Sequence, residues 1–247
     1  MPQYGFDAPW FTAKTFGVAA VATLLWSLSR IVRLGGRPVP VVPPGLLGIA
    51  LGAAAVGASL CAYATRGKLV HRDRVLDLVD WNGGERVLDV GTGGGLMMIG
   101  AAKRLTTGRA FGVDTWRESD LTGNNRETTM RNAFLEGVVD KIDVRYTDAR
   151  KLDFGRNSFD VVFATLVLHN IADADGREAA CREIARVLKP GGTAILSERR
   201  VGEFATVLRA AGLEVRTLPP SFESLTYLRT LVATKAALVD LTAGLPA

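Results

Sequence analysis

Residues that build metal sites and covalent cross-links are scarce in this chain. Its 247 residues include two cysteines, Cys61 and Cys181, and two histidines, His71 and His169. None of the four falls in a CxxC or Cys/His spacing, which argues against a structural zinc site or a disulfide framework. A serine triad, a metal triad and a catalytic thiol are missing as well. The formal net charge of +5 is not accompanied by the aromatic-interleaved basic clusters of nucleic-acid binders, so no nucleic-acid partner is expected. Much of the excess charge comes from Arg30, Arg33, Arg37, Arg66, Lys68, Arg72 and Arg74. These lie beside apolar segments, where anionic lipid headgroups are the simpler partner.

Charge of either sign is absent from Pro38 to Thr65. Within that stretch Leu46 to Ala64 is almost wholly apolar or small, close to the roughly 20 residues that cross a bilayer as a helix. An earlier segment, Thr15 to Leu34, is apolar through Leu28 and then carries Arg30 and Arg33, which can snorkel to an interface. Trp10 and Trp26 suit interfacial anchors or plain packing. Between the segments, the proline-rich run Arg37 to Gly45 cannot continue a helix and reads as a hairpin connection. One or two transmembrane helices are therefore expected, with residues 1–72 as a membrane-anchoring region and 73–247 as a separate domain. Basic residues after the second segment place that domain on the cytoplasmic side. Arg30, Arg33 and Arg37 conflict with a two-span hairpin, and the conflict is relieved if the first segment lies along the inner surface.

From Asp73 onward the pattern alternates between strand and helix. Arg86 to Val90, Ala110 to Val113, Lys141 to Tyr146, Phe159 to Ala164, Thr193 to Leu196, Leu213 to Thr217 and Thr230 to Thr234 read as strands. Helices are expected over Leu96 to Leu105, Glu127 to Glu136, Ala179 to Leu188 and Phe204 to Ala211. Lys189-Pro190-Gly191-Gly192 marks a helix exit. This alternation predicts an α/β protein, a Rossmann-like doubly wound sheet of seven mostly parallel strands.

The densest motif is Val87-Leu88-Asp89-Val90-Gly91-Thr92-Gly93-Gly94-Gly95, followed by the apolar run Phe111-Gly112-Val113 that ends in Asp114. Strand, glycine turn, helix, strand and acid together place a nucleotide-type ligand at the carboxyl ends of two neighbouring strands. A dinucleotide fingerprint needs glycines at its first, third and sixth places. Here the sixth place is Leu96, and Gly91, Gly93 and Gly95 occupy the first, third and fifth.

That spacing resembles the first motif of class I S-adenosylmethionine (SAM) methyltransferases. The resemblance extends through Phe159-Asp160-Val161-Val162, Leu168-His169-Asn170-Ile171 and Glu183 to Gly192, which are similar to the fourth and fifth motifs of the branch containing ubiquinone and menaquinone biosynthesis methyltransferases. It implies SAM as cofactor, S-adenosylhomocysteine (SAH) as product, and a set of roles. Asp89 would orient the methionine amine, and Gly91, Gly93 and Gly95 would line the methionine. Asp114 would accept from the ribose hydroxyls, with Thr115 beside it and Trp116 packing on adenine or merely on the surface. Asp148 and Ala149 would read the adenine edge, and Thr165 and Leu166 would give backbone contacts near the sulfonium. His169, just past the fourth strand, is either a general base or a loop-packing residue. The polar loop Thr115 to Asn125 either closes over the cofactor through Asp120 or Asn124, or simply enters a helix capped by Asn125.

The expected activity is methyl transfer to a lipophilic small molecule of quinone, isoprenoid or lipid type, with membrane lipids as further partners. A soluble acceptor with a purely localising anchor, and a SAM-binding interaction protein without catalysis, are the alternatives.

Overall fold

The chain was analysed as a computed structural model, which describes residues 2–5, 9–29, 33–34, 37–38, 45–117, 119–220 and 227–237. Runs of β-branched and aromatic residues make the strands, and turn residues separate them. Arg86–Val90 (β1), Arg109–Asp114 (β2), Ile142–Tyr146 (β3), Phe159–Thr165 (β4), Leu188–Glu198 (β5), Leu213–Thr217 (β6) and Arg229–Lys235 (β7) form one seven-stranded sheet. The strand order is β3-β2-β1-β4-β5-β7-β6, in which only β7 runs antiparallel to its neighbours. The chain works outward from β1 to β3 and then crosses to β4 on the other side. The carboxyl ends of β1 and β4 therefore form the topological switch point where such sheets take ligands.

Leu88, Val90, Phe159, Val162, Phe163 and Ile195 are fully buried, as expected for central parallel strands covered on both faces. Helices Leu96–Ala102 (α4), Arg126–Leu135 (α5), Ala174–Val187 (α6) and Gly202–Ala210 (α7) connect the strands. They are numbered after three N-terminal helices, Pro9–Ser29 (α1), Gly45–Ala62 (α2) and Lys68–Leu76 (α3). Asn125 caps α5, its side chain accepting from Thr128 N, and Asp173 caps α6 by accepting from Gly176 N.

Three details depart from the sequence reading. α6 begins five residues before the expected Ala179, because Asp173 supplies the cap. α4 ends at Ala102 rather than Leu105, the chain tightening into turns closed by Arg104 N to Ala101 O and Leu105 N to Ala102 O. The Lys189-Pro190-Gly191-Gly192 exit belongs to β5: Leu188 pairs with Phe159 and Thr193 with Val161, so the four residues bulge out of the ladder.

The apolar N-terminal segments are helical, and α1 packs against α2 with the Phe16 ring over Gly57. α2 does not stop at the expected boundary. It passes through a π-helical turn, Tyr63–Gly67, into α3, giving one continuous helix from Gly45 to Leu76 of 32 residues. The boundary expected between residues 72 and 73 thus falls inside α3. Among the described residues this is the one helix long and apolar enough to cross a membrane by length and composition; the apolar stretch of α1, Phe11–Ser27, is shorter than that limit. The proline-rich connection contains a two-residue antiparallel pairing of Arg33–Leu34 with Arg37–Pro38; residues 39–44, and the side chains of Trp10, Arg30, Arg33 and Arg37, lie outside what is described. Lys68 and Arg72, expected among the headgroup-facing cations, are instead built into the fold. Lys68 is 3% exposed, and Arg72 is ion-paired to Asp73 at 2.7 Å.

Candidate cofactor site

A cavity of about 240 Å³ opens at the switch point. Its wall includes Asp89, Gly91, Gly93, Asp114, Thr115, Asp148, Ala149, Thr165 and Leu166, nine of the residues singled out by sequence. Gly95, Trp116 and His169 stand beside the cavity rather than in its wall.

The turn after β1 needs glycine for steric reasons. Gly91 has φ 73°, and a Cβ there would lie 2.2 Å from Val167 Cγ2. Gly93 has φ 51°; its N–H donates to Asp114 Oδ2 at 2.7 Å, and its carbonyl accepts from Thr129 Oγ1. Side chains at either place would strain the backbone or fill the cavity.

Two carboxylates stand at the strand ends, Asp89 buried and Asp114 half-buried. Asp89 is 2% exposed, and its Oδ2 accepts from Thr92 Oγ1 at 2.8 Å and Met98 N at 3.0 Å. Burial pushes its carboxyl up to about 7, more than those two hydrogen bonds pull it down. Asp114 accepts from Gly93 N through one oxygen and Trp116 N through the other, and burial again raises its pKa. Each carboxylate is therefore held in place by backbone or hydroxyl donors and is poised to gain from a ligand that brings a cation or hydroxyl donors. Asp148 differs: it is exposed enough to pair with Arg150, which donates through Nε and Nη2 and holds its carboxyl below the usual range.

Trp116 has φ 44° and turns its indole back onto the loop, where Nε1 donates to Gly93 O at 3.3 Å. The ring also packs toward Tyr146. His169 is fixed from behind: Nδ1 lies 2.8 Å from Glu198 Oε2, while Glu198 Oε1 accepts from Val167 N and Leu168 N. Asn170 next to it does line the cavity.

The N-terminal region supplies wall residues that no motif announced. Tyr4, Tyr63 and Lys68 face the same cavity. Lys68 Nζ donates to Tyr4 O at 3.0 Å and Gly5 O at 2.7 Å. Asn132 of α5 binds both main-chain groups of Gln3, accepting from its N–H and donating to its carbonyl, and also donates to Gly94 O. Residues 2–5 are thereby strapped against the glycine loop. The 115–125 loop adds Arg117, Asp120, Leu121 and Asn124, and it also enters α5 through the Asn125 cap. Glu118 lies outside the described residues. Only the basic run after residue 65 hinted at Lys68, and charge alone could not place it.

Among the described residues the wall holds two buried polar atoms without a partner, Asn124 Oδ1 and Thr165 Oγ1. Together with two acidic strand ends and a side-chain-free turn, they fit a ligand rich in hydroxyl and amine groups.

Comparison with known proteins agrees with this chemistry. Residues 88–196 match the family described as methyltransferase domain. The 27-O-demethylrifamycin SV methyltransferase of Amycolatopsis mediterranei is 33% identical over 145 residues, covering 58% of this chain and 47% of that one. The ubiquinone/menaquinone biosynthesis C-methyltransferase UbiE of Hydrogenovibrio crunogenus is 34% identical over 116 residues, covering 47% of this chain and 42% of that one. The chain thus spans about half the length of the relatives it matches. In fold it is similar to a SAM-dependent methyltransferase from Aquifex aeolicus, with TM-score 0.55 and 20% identity over 68% of this chain and 92% of that one. Residues 88–196 are therefore similar to the methyltransferase domain family, and they lie on the Rossmann-like fold seen in a SAM-dependent methyltransferase.

Proposed function

We propose that the protein is a membrane-anchored methyltransferase whose acceptor is a lipophilic small molecule of quinone, isoprenoid or lipid type. The observation that carries this reading is the continuity of one helix. Its first part exposes Ile49, Leu51 and Val56, and its last part puts Tyr63 and Lys68 into the wall of the cofactor cavity. A helix that is apolar and uncovered at one end and a cofactor wall at the other supports a cavity held at the surface where lipophilic acceptors reside. The relative named for ubiquinone and menaquinone biosynthesis supports the same acceptor class. Arg66 and Arg74, at the inner end of that helix, support a cytoplasmic position for the domain.

When bound, the cofactor supplies an electrophilic methyl group. Asp89 would take its amine, Asp114 its ribose, and Asp148 with Ala149 its adenine. The chain's remaining work is to align the acceptor, exclude water and take up the acceptor's proton. His169 is the candidate for that last step: with Nδ1–H donating to Glu198, Nε2 keeps its lone pair.

A second reading is a soluble acceptor with an anchor that only localises the enzyme. Incubating the full chain with methyl-labelled SAM and separated lipid and aqueous extracts distinguishes the two. Label in the lipid fraction is the expected result. Label confined to the aqueous fraction supports the second reading, and binding without transfer to either supports a non-catalytic SAM-binding protein.

A further inference from the structure

Asn124 lies at the end of the loop between β2 and α5. It is 4% exposed, and its main-chain N–H donates to Leu121 O. Its side-chain Nδ2 donates to Arg117 O at 2.9 Å. Because a carbonyl only accepts, this contact fixes which end of the amide is nitrogen, and the oxygen must point the other way. Oδ1 is buried, has no partner among the described residues and belongs to a residue of the cavity wall. An amide oxygen left in that state opposes folding unless something donates to it.

The neighbourhood identifies the donor. Asn124 Oδ1 lies 3.8 Å from the position of a Cβ on Gly93. The N–H of that glycine donates to Asp114 Oδ2, so Asn124 and Asp114 both line the cavity next to Gly93. Asp114 already accepts one backbone N–H on each oxygen, from Gly93 and Trp116. A ligand with two adjacent hydroxyls gains from a second acceptor there. An ammonium is better served elsewhere, by the buried carboxylate of Asp89, whereas a neutral hydroxyl suits a neutral amide.

We propose that Asn124 Oδ1 accepts a hydrogen bond from one ribose hydroxyl of SAM, sharing the ribose with Asp114, so that the 115–125 loop is a cofactor-binding element. The proposal rests on the reading of this cavity as the SAM site. It assigns a specificity role to a residue that lies past the acid at the end of β2 and outside the glycine motif. The amide is held for that role by Arg117 O before any ligand arrives.

The test is calorimetric titration of the full chain with SAH, 2′-deoxy-SAH and 3′-deoxy-SAH, in the wild type, Asn124→Leu and Asn124→Ala. Leucine keeps the volume and removes the acceptor. Both variants should bind SAH about 5- to 10-fold more weakly. They should also lose the penalty that the wild type shows for one of the two deoxy analogues, while keeping the penalty for the other. Unchanged SAH affinity, or both penalties retained, overturns the proposal while leaving the SAM reading intact. Failure of the wild type to bind SAH overturns the SAM reading itself. Should neither variant fold, a crystal structure of the wild type with SAH decides. A ribose oxygen within hydrogen-bond distance of Asn124 Oδ1 upholds the proposal, and a water molecule or protein group in that place overturns it.

Discussion

Glu198 Oε2 lies 2.8 Å from His169 Nδ1, and the other oxygen of the same carboxylate accepts from the main chain of Val167 and Leu168. One fully buried group at the end of β5 thus holds both the loop after β4 and the imidazole mounted on it, while the ring itself is 46% exposed. If His169 takes the acceptor's proton, His169→Ala should lower kcat on the order of 100-fold with SAH affinity unchanged. Steady-state kinetics paired with calorimetry reads both quantities. A normal kcat removes the base role and leaves His169 as a loop residue.

Glu198→Ala is expected to be a stability variant as well. It strands the buried N–H of Leu168, which costs about 1–3 kcal/mol when unpaired, and the half-buried N–H of Val167. Thermal unfolding should show a clear drop in Tm, larger than for His169→Ala, whose partner keeps its two backbone donors. Equal Tm values for the two variants contradict this account of the loop.

The Asp89 carboxyl, raised by burial to about 7, makes cofactor binding depend on pH. Its folded value stands above the unfolded value near 3.9. Its contribution to the stability of the ligand-free protein is therefore fully present below about pH 4 and is lost as pH rises through about 7. Binding a ligand amine beside it reverses the preference and favours the ionised form. SAM affinity should then weaken about tenfold per unit as pH falls below about 7, and Asp89→Asn should flatten that slope. Titrations between pH 5.5 and 8 check it; a wild-type slope that survives in Asp89→Asn assigns the effect to another group.

Asn132 is 1% exposed and joins three main-chain groups, Gln3 N, Gln3 O and Gly94 O. Asn132→Ala should cost about 2–4 kcal/mol and release residues 2–5 from the glycine loop. Limited proteolysis should cut the N-terminus faster in the variant than in the wild type, and SAH should bind more weakly because Gly94 is no longer held. An unchanged cleavage rate would mean that Lys68 alone secures the strap through Tyr4 O and Gly5 O.

Much of the sheet was legible because its information is local. Arg86 to Val90 and Leu213 to Thr217 are strands at the expected residues, and Asp89 and Asp114 stand at strand ends as the motif implied. What was not legible depends on contacts between distant parts of the chain. Asn132 meets Gln3 across 129 positions, and His169 meets Glu198 across 29. No periodicity records either. Lys68 read as a flanking cation because its neighbours Arg66, Arg72 and Arg74 are basic, and only the continuation of α2 into α3 carries it into the cavity. The indole contact of Trp116 with Gly93 O, made from a backbone with φ 44°, was not legible either. The bulge at Lys189 to Gly192 looked like a helix stop; α6 has already ended at Val187, and Leu188 is the first residue of β5.

The central claim is that the cavity between β1 and β4 holds SAM through the acid that ends β2. Calorimetric titration of SAH into the full chain and into Asp114→Ala tests it most directly. The account predicts one binding event per wild-type chain and a loss of affinity of at least about 100-fold in the variant, since a half-buried carboxylate and its hydrogen bonds to a ligand are removed together. Equal affinity in the two proteins contradicts it.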